Sequence, residues 1–196
     1  TQRGRYREFI QIDFDIVGVD SASADFEILT VMRDSLRALG IEDFQIRFSH
    51  RALFNELLGA LDLAGQYLPV LRVIDKLSKI GHEKVEEQLQ EIAGADRAKQ
   101  ILTFITAEQS GEATLARLRA GLGPRAADCP ALERLGRVLE CIAACGLQKH
   151  FRLDPSITRG LDYYTGLVFE TFLDALPDIG SVCSGGRYND LASLYT

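Results

Sequence analysis

No stretch of this chain approaches 18 consecutive apolar residues, which excludes a membrane-spanning helix. The first residues, TQRGRYREF, contain neither a methionine nor an apolar signal segment. They open inside what looks like a motif, so the chain is expected to be a fragment of a longer one. Cysteine is sparse: Cys129, Cys141, Cys145 and Cys183 are the only four. Cys141 and Cys145 share a helix face, but no second pair lies near them in sequence, and His50, His82 and His150 are scattered. A zinc site needs four converging ligands, so buried or free thiols are expected, along with a reducing cytoplasm and no protein-bound metal. Basic excess is also missing. The net charge of −6 argues against a dedicated polyanion-binding module but allows local basic patches. No internal repeat is evident. What is present is 46% hydrophobic residues in 196, enough to bury a core.

The pattern along the chain changes twice. Residues 5–17 alternate, with Ile10, Ile12, Phe14 and Ile16 on one face and Gln11, Asp13 and Asp15 on the other. This predicts a strand whose polar face meets either solvent or a ligand. Ser21 or Ser23 can cap a helix running to about Leu39, with a stripe of Phe26, Leu29, Val31, Leu36 and Leu39, and Gly40 ends it. Phe44, Ile46 and Phe48 then alternate as a second strand. From about Ala52 to Leu147 the spacing is helical, with helices predicted near 52–59, 66–79, 82–93, 96–107, 111–120 and 130–145. Strands return at 150–154 and 163–173, followed by a glycine turn and a helix from about Tyr188. Strands, helices, strands is an α+β plan: an antiparallel sheet with flanking helices and an all-helical insertion. The division expected is 1–51, 52–147 and 148–196.

Three constellations carry polar chemistry. Arg5 and Arg7, two apart in extended chain, can bracket a polyphosphate, Phe9 offers a ring for a base, and Gln11 and Asp15 can hold a small amine-bearing ligand. An ordinary charged surface strand fits the same residues. In RGLDYYTG, Arg159 precedes Tyr163 and Tyr164. A fixed guanidinium entering a tyrosine-floored pocket suits a developing oxyanion, and an exposed loop arginine beside packed tyrosines fits equally. In SGGRY, the paired glycines let backbone approach a ligand or make a plain turn.

In this order the three are specific. RGRYREFIQ with DFDIVG resembles motif 2 of class II aminoacyl-tRNA synthetases in its histidine-specific form. RGLDYYTG and SGGRY-NDL resemble the two signatures of the histidyl-tRNA synthetases, and DFQIRFSHR and VIDKLSKI resemble that family's eukaryote-like branch. The resemblance covers nearly the whole chain and is weak between about 85 and 145.

The resemblance implies a class II synthetase fold that activates L-histidine with ATP and Mg2+, transfers it to its tRNA, and works as a cytoplasmic homodimer. It gives Arg159 the reacting carboxylate and α-phosphate, Gln11, Asp15, Tyr163 and Tyr164 the histidine pocket, and Arg5, Arg7 and Phe9 the ATP site. On the helical stretch, 12 basic and 13 acidic residues between 51 and 147 nearly balance. Within it Arg72, Lys76 and Lys79 share one helix face, with Arg117 and Arg119 adding charge; contact with the tRNA acceptor arm or a solvated face are both open. Two departures stand out: Asn189 where the family usually has aspartate, and Ser49-His50 for an asparagine-containing pair. Motif 1, motif 3 and an anticodon-binding domain are not in the sequence, so residues 1–196 alone are expected to be inactive. The competing readings are a regulatory subunit of ATP phosphoribosyltransferase and a synthetase-like sensor of uncharged tRNA. The intact Arg159 signature argues against both.

Overall fold

The structure, a computed structural model, describes residues 6–158 and 164–189, without the side chains of Ser78 and Lys79. Helix α1 spans Ala22–Ala38. It starts where the Ser21 hydroxyl accepts the Ala24 N–H at 3.2 Å, satisfying one of the orphan donors of the first turn. It ends before Gly40, whose φ of 79° closes the turn. Its buried face is Asp25, Leu29 and Met32, with Leu36 partly buried. Two members of the predicted stripe, Val31 and Leu39, face outward.

Strand β1 (Phe44–His50) follows, then seven α-helices where six were expected: α2 (Ala52–Ala60), α3 (Tyr67–Ile74), α4 (Leu77–Ile80), α5 (His82–Ala93), α6 (Ala95–Ile105), α7 (Gly111–Leu122) and α8 (Pro130–Ala144). The helix expected over 66–79 is two. Pro69 has no N–H to give, so it is tolerated only in a first turn, and α3 begins two residues before it after a 3-10 turn. Strands β2 (Phe151–Leu153), β3 (Leu167–Leu173) and β4 (Ser181–Gly186) complete the fold. Among the described residues no helix is long and apolar enough to cross a membrane.

The sheet order is β2-β1-β3-β4. The α+β plan holds, but the sheet is mixed. β1 pairs antiparallel with β3 and β3 with β4, whereas β1 and β2 run parallel, Ile46 opposite Phe151. A parallel pair needs a long crossover, and the helical stretch supplies it. One contiguous core joins Ile46, Phe48, Leu153 and Phe169 of the sheet to Leu53, Leu89, Leu118 and Leu135 of the helices.

Three local expectations change. Residues 6–17 form no strand. Alternation alone makes no ladder. Ile10 is 93% exposed, and of the alternating apolar residues only Phe14 packs against the core. Strand β3 starts at Leu167, opposite His50. Beyond that register β1 has turned into α2 and offers no further strand residue. The glycine pair is the end of β4 and no turn: Gly185 lies opposite Phe169 and Gly186 opposite Val168. The helix expected from Tyr188 falls mainly on residues outside those described.

The pair is glycine for packing reasons. A Cβ on Gly185 would sit 2.6 Å from the buried Phe169 ring, and one on Gly186 2.8 Å from the Tyr164 ring and 2.9 Å from the Leu167 carbonyl. Gly185→Ala therefore has to displace a packed ring and should lower stability by about 1–3 kcal/mol in urea denaturation. Gly65→Ala, where a Cβ meets nothing within 4 Å, serves as the reference and should change it by less than about 0.5 kcal/mol. Equal effects would remove the packing explanation.

Candidate functional site

The end of β4 and the chain from Ile12 to Asp20 face each other across a cleft of about 930 Å3. Asp15, Tyr164, Ser184, Gly185, Gly186 and Tyr188 line it. The Tyr188 hydroxyl donates to the Asp15 carboxylate across the opening. The Tyr164 ring lies over Gly186, held there because the glycine leaves the space. The result is a carboxylate, a phenol hydroxyl and an aromatic wall at one place. That set can take a small flat ring bearing an N–H. Cys183 also lines the cleft; burial pushes its thiol up and Asp13 adds to this, against a backbone hydrogen bond at Ser184, so it stays an unreactive thiol.

Beneath the cleft lies an ion network. Asp25, 5% exposed, receives Arg187 Nε at 2.9 Å on one oxygen and Arg134 Nε at 2.5 Å on the other. Asp20 takes Arg134 Nη2 at 2.8 Å and Arg187 Nη1 at 3.3 Å. Arg187 also donates to the carbonyls of Val19 at 3.2 Å and Ser21 at 3.3 Å. Burial works against the Arg134 charge, but hydrogen bonding and attraction from Asp25 and Asp20 outweigh it and raise its pKa. The network joins α1, α8 and the end of β4, and it fixes the backbone immediately before Tyr188.

The unusual Asn189 fits here: its amide oxygen accepts from Arg187 Nη1 at 3.3 Å and its N–H donates to Thr165 Oγ1 at 3.0 Å. His50 sits close to the same charges. Its Nδ1 accepts the Ala52 N–H at 3.3 Å, a bond that needs the neutral ring. Burial pushes its pKa down to about 4; Asp25 opposes this, and Arg134 and Arg187 add to it.

Of the residues singled out in the sequence, Asp15 and Tyr164 come together in the cleft. Gln11 does not line it; its amide donates to both Asp13 carboxylate oxygens, at 2.8 and 2.9 Å. Arg7 and Phe9 are exposed on the approach, outside the cleft lining. Arg5, Arg159 and Tyr163 lie outside the described residues. Arg72 and Lys76 are exposed at and just beyond α3, with Lys76 Nζ donating to Gln88 at 3.3 Å; the Lys79 side chain is not among those described. Arg117 is no surface charge, since it is 18% exposed, donates to the Thr103 carbonyl and pairs with Glu108 at 3.0 Å. Among the described residues no group of three or more His, Cys, Asp or Glu could hold a metal ion, and all four cysteines are free thiols.

Sequence reasoning passed over Asp25 and Arg134, and it singled out SGGRY without giving Arg187 or Tyr188 a role. One signal was available. Asp25, Leu29, Met32 and Leu36 are spaced as a single helix face, so a carboxylate stood among buried positions and required a cationic partner.

Two stability measurements follow. Asp25→Asn leaves two arginines without their buried counter-charge and should cost about 3–5 kcal/mol in urea denaturation; a loss below about 1 kcal/mol would show that the network is ornamental. His50, at about 4 folded against 6.5 unfolded, binds its proton more readily when unfolded. Its contribution is complete above pH 6.5 and is lost as pH falls toward 4. Between pH 7 and 4.5 the wild type should lose roughly 2–3 kcal/mol more than His50→Asn does. Parallel losses in the two proteins would mean that His50 titrates normally in the fold.

A sequence profile of the histidyl-tRNA synthetase family matches residues 1–195. The histidine–tRNA ligase of Treponema denticola is 46% identical over 200 residues, covering 99% of this chain and 44% of that protein. The crystal structure of histidyl-tRNA synthetase from Nostoc sp. PCC 7120 superposes with a TM-score of 0.82 at 29% identity, covering 90% of this chain and 42% of that one. An ATP phosphoribosyltransferase regulatory subunit/histidyl-tRNA synthetase from Bacillus halodurans C gives 0.72 at 23% identity, covering 90% and 45%. The chain spans less than half the length of the curated relatives it matches.

Proposed function

The chain belongs to the histidyl-tRNA synthetase family, and on that premise we propose that the protein carrying it activates L-histidine with ATP and transfers it to tRNA. The observation that supports this most is the Asp15–Tyr188 pair beside the Tyr164 ring in the cleft. Histidine's imidazole carries one N–H when neutral. A carboxylate that accepts this N–H fixes the tautomer, and a tyrosine hydroxyl bound to the same carboxylate keeps it aimed. The Tyr164 ring on the cleft wall gives the imidazole a flat face to lie against.

In the first step an oxygen of the histidine carboxylate attacks the α-phosphorus of ATP. A P–O bond forms, the bond to the bridging oxygen of the β-phosphate breaks, and pyrophosphate leaves. A ribose hydroxyl of tRNA then attacks the acyl carbon and AMP departs. Charge grows on the α-phosphoryl oxygens in the first step. Arg159 is the residue proposed to meet it, a fixed donor that stabilises that charge more than it stabilises bound ATP. Arg5, Arg7 and Phe9 are proposed for the ATP, which enters with Mg2+ as the counter-ion of its phosphates. Gln11 and Tyr163 are proposed to complete the histidine pocket. Residues 52–147 are proposed as the helical insertion domain between core parts 1–51 and 148–196, with Arg72, Lys76 and Lys79 toward the tRNA acceptor arm. A cytoplasmic homodimer is proposed for the whole protein. The regulatory-subunit alternative has less support, because the likeness to that class of protein lies at an identity that speaks to the fold alone.

Histidine-dependent ATP–pyrophosphate exchange by the full-length protein tests the reading, and its absence would refute it. Within that assay Asp15→Ala removes a charged hydrogen-bond acceptor worth about 1.5–3 kcal/mol, so the KM for histidine should rise roughly 10- to 100-fold. The KM for ATP should stay within about twofold. Equal rises in both would show that Asp15 only supports the segment it belongs to.

A further inference from the structure

We propose that Arg51 is a positioning residue that holds Thr158 and Gly166, on either side of the Arg159 signature residues, and ties these two anchors to the helical stretch; this rests on the function proposed above. Arg51 directly follows β1. β2 runs parallel to β1 and so ends at the same end of the sheet, while β3 runs antiparallel and begins there. The two strands flank β1 on opposite sides. Thr158, five residues past β2, and Gly166, one before β3, therefore lie on either side of Arg51.

Arg51 holds both. Its backbone N–H donates to the Gly166 carbonyl at 2.9 Å. Its Nη1 donates to the Thr158 carbonyl at 3.3 Å. Both carbonyls belong to buried residues, where an unmade hydrogen bond is costly. The two anchor points of residues 159–165 are thus held by one amino acid. Each anchor is stiffened from behind. On the Thr158 side, the Asp154 carboxylate accepts the Ser156 N–H at 3.0 Å and its hydroxyl at 2.6 Å, and the Asp154 N–H donates to Phe48 at 2.8 Å. On the Gly166 side, Thr165 N–H donates to the Arg187 carbonyl at 2.8 Å and Arg187 N–H to Leu167 at 2.7 Å.

The guanidinium also lies over the Tyr67 ring, 5.7 Å from its centroid. Tyr67 opens α3, a helix of the inserted stretch. Movement of α3 relative to the sheet would shift the plane on which the guanidinium rests, and with it the Thr158 anchor. The contact gives the helices a physical route to the segment that carries Arg159. A lysine could reach the Thr158 carbonyl but has no planar group to lie on the ring.

The test uses the full-length protein and the variants Arg51→Met, Arg51→Lys and Tyr67→Leu, with the exposed Arg97→Met as reference. Hydrogen exchange of peptides covering 155–168 should quicken roughly fivefold in Arg51→Met, the value of one hydrogen bond, less in Arg51→Lys, and not at all in Arg97→Met. The kcat for pyrophosphate exchange, per active site, should fall roughly 10- to 100-fold in Arg51→Met, as misplacement by about 1 Å does, with both KM values nearly unchanged. Tyr67→Leu leaves β1 intact and should move both readouts the same way, so it decides the matter if Arg51→Met fails to fold. Unchanged exchange over 155–168 would overturn the clamp, and faster exchange with unchanged kcat would overturn the positioning role. Wild-type protein without histidine-dependent activity would instead refute the functional reading, and hydrogen exchange would still decide the clamp.

Discussion

A carboxylate with 5% exposure cannot stand alone, and the arrangement around Asp25 follows from that constraint. Its two oxygens are divided between Arg134 from α8 and Arg187 from the end of β4. Neither arginine could be buried to its present extent without the acid, nor the acid without them. The position of α8 on α1 and the path of the chain into Tyr188 are consequently one solution to one electrostatic problem. Hydrophobic contact between α1 and α8 is non-directional and would tolerate sliding; the paired guanidinium contacts set the register. His50 takes its state from the same place. Buried near two guanidinium groups, it remains neutral and uses its free nitrogen to accept the first N–H of α2.

The cleft wall is fixed by a different kind of contact. Along β4 the two glycines admit the rings of Phe169 and Tyr164 to distances that a Cβ would forbid. Gly166 does the same for the stem of Arg187, 2.7 Å from where its Cβ would stand. Three glycines thus let an aromatic wall and a charged clasp occupy the same small volume. In this setting the glycines act through absence of bulk, since none of the three has a positive φ.

How much of this was legible in the sequence depended on whether the signal was local. Helix α1 was readable from Ser21 and Gly40, and β1 from its alternation, because capping and burial patterns act over a few residues. The motifs RGLDYYTG and SGGRY were readable as a family likeness. Asp15 and Tyr164 were singled out from their motifs, and the cleft brings them together. The segment 6–17 misled because alternation reports which faces differ, not whether a partner strand exists. The parallel pairing of β1 with β2 was hidden in plain view: a helical stretch of that length is the crossover a parallel pair requires, yet it was read as an insertion only. Asp25, Arg134 and Arg187 were missed because their partnership spans more than 100 positions of sequence, beyond the reach of any local pattern.

The same topology explains why the helices and the cleft are hard to separate. The chain leaves the sheet at Arg51, directly after β1, and re-enters through β2, on the side of β1 away from β3. A parallel return brings the end of β2 back to the end of β1 from which the helices departed. Thr158, past β2, and Gly166, before β3, accordingly stand on opposite flanks of β1 at this same end, because β3 lies on the opposite side and runs the opposite way. The exit into the helices, the anchors Thr158 and Gly166 and the network under Tyr188 thus crowd around one end of the sheet. Arg51 stands against α3 through the Tyr67 ring, and Arg134 joins α8 to Asp25, whose other oxygen holds Arg187 beside the cleft.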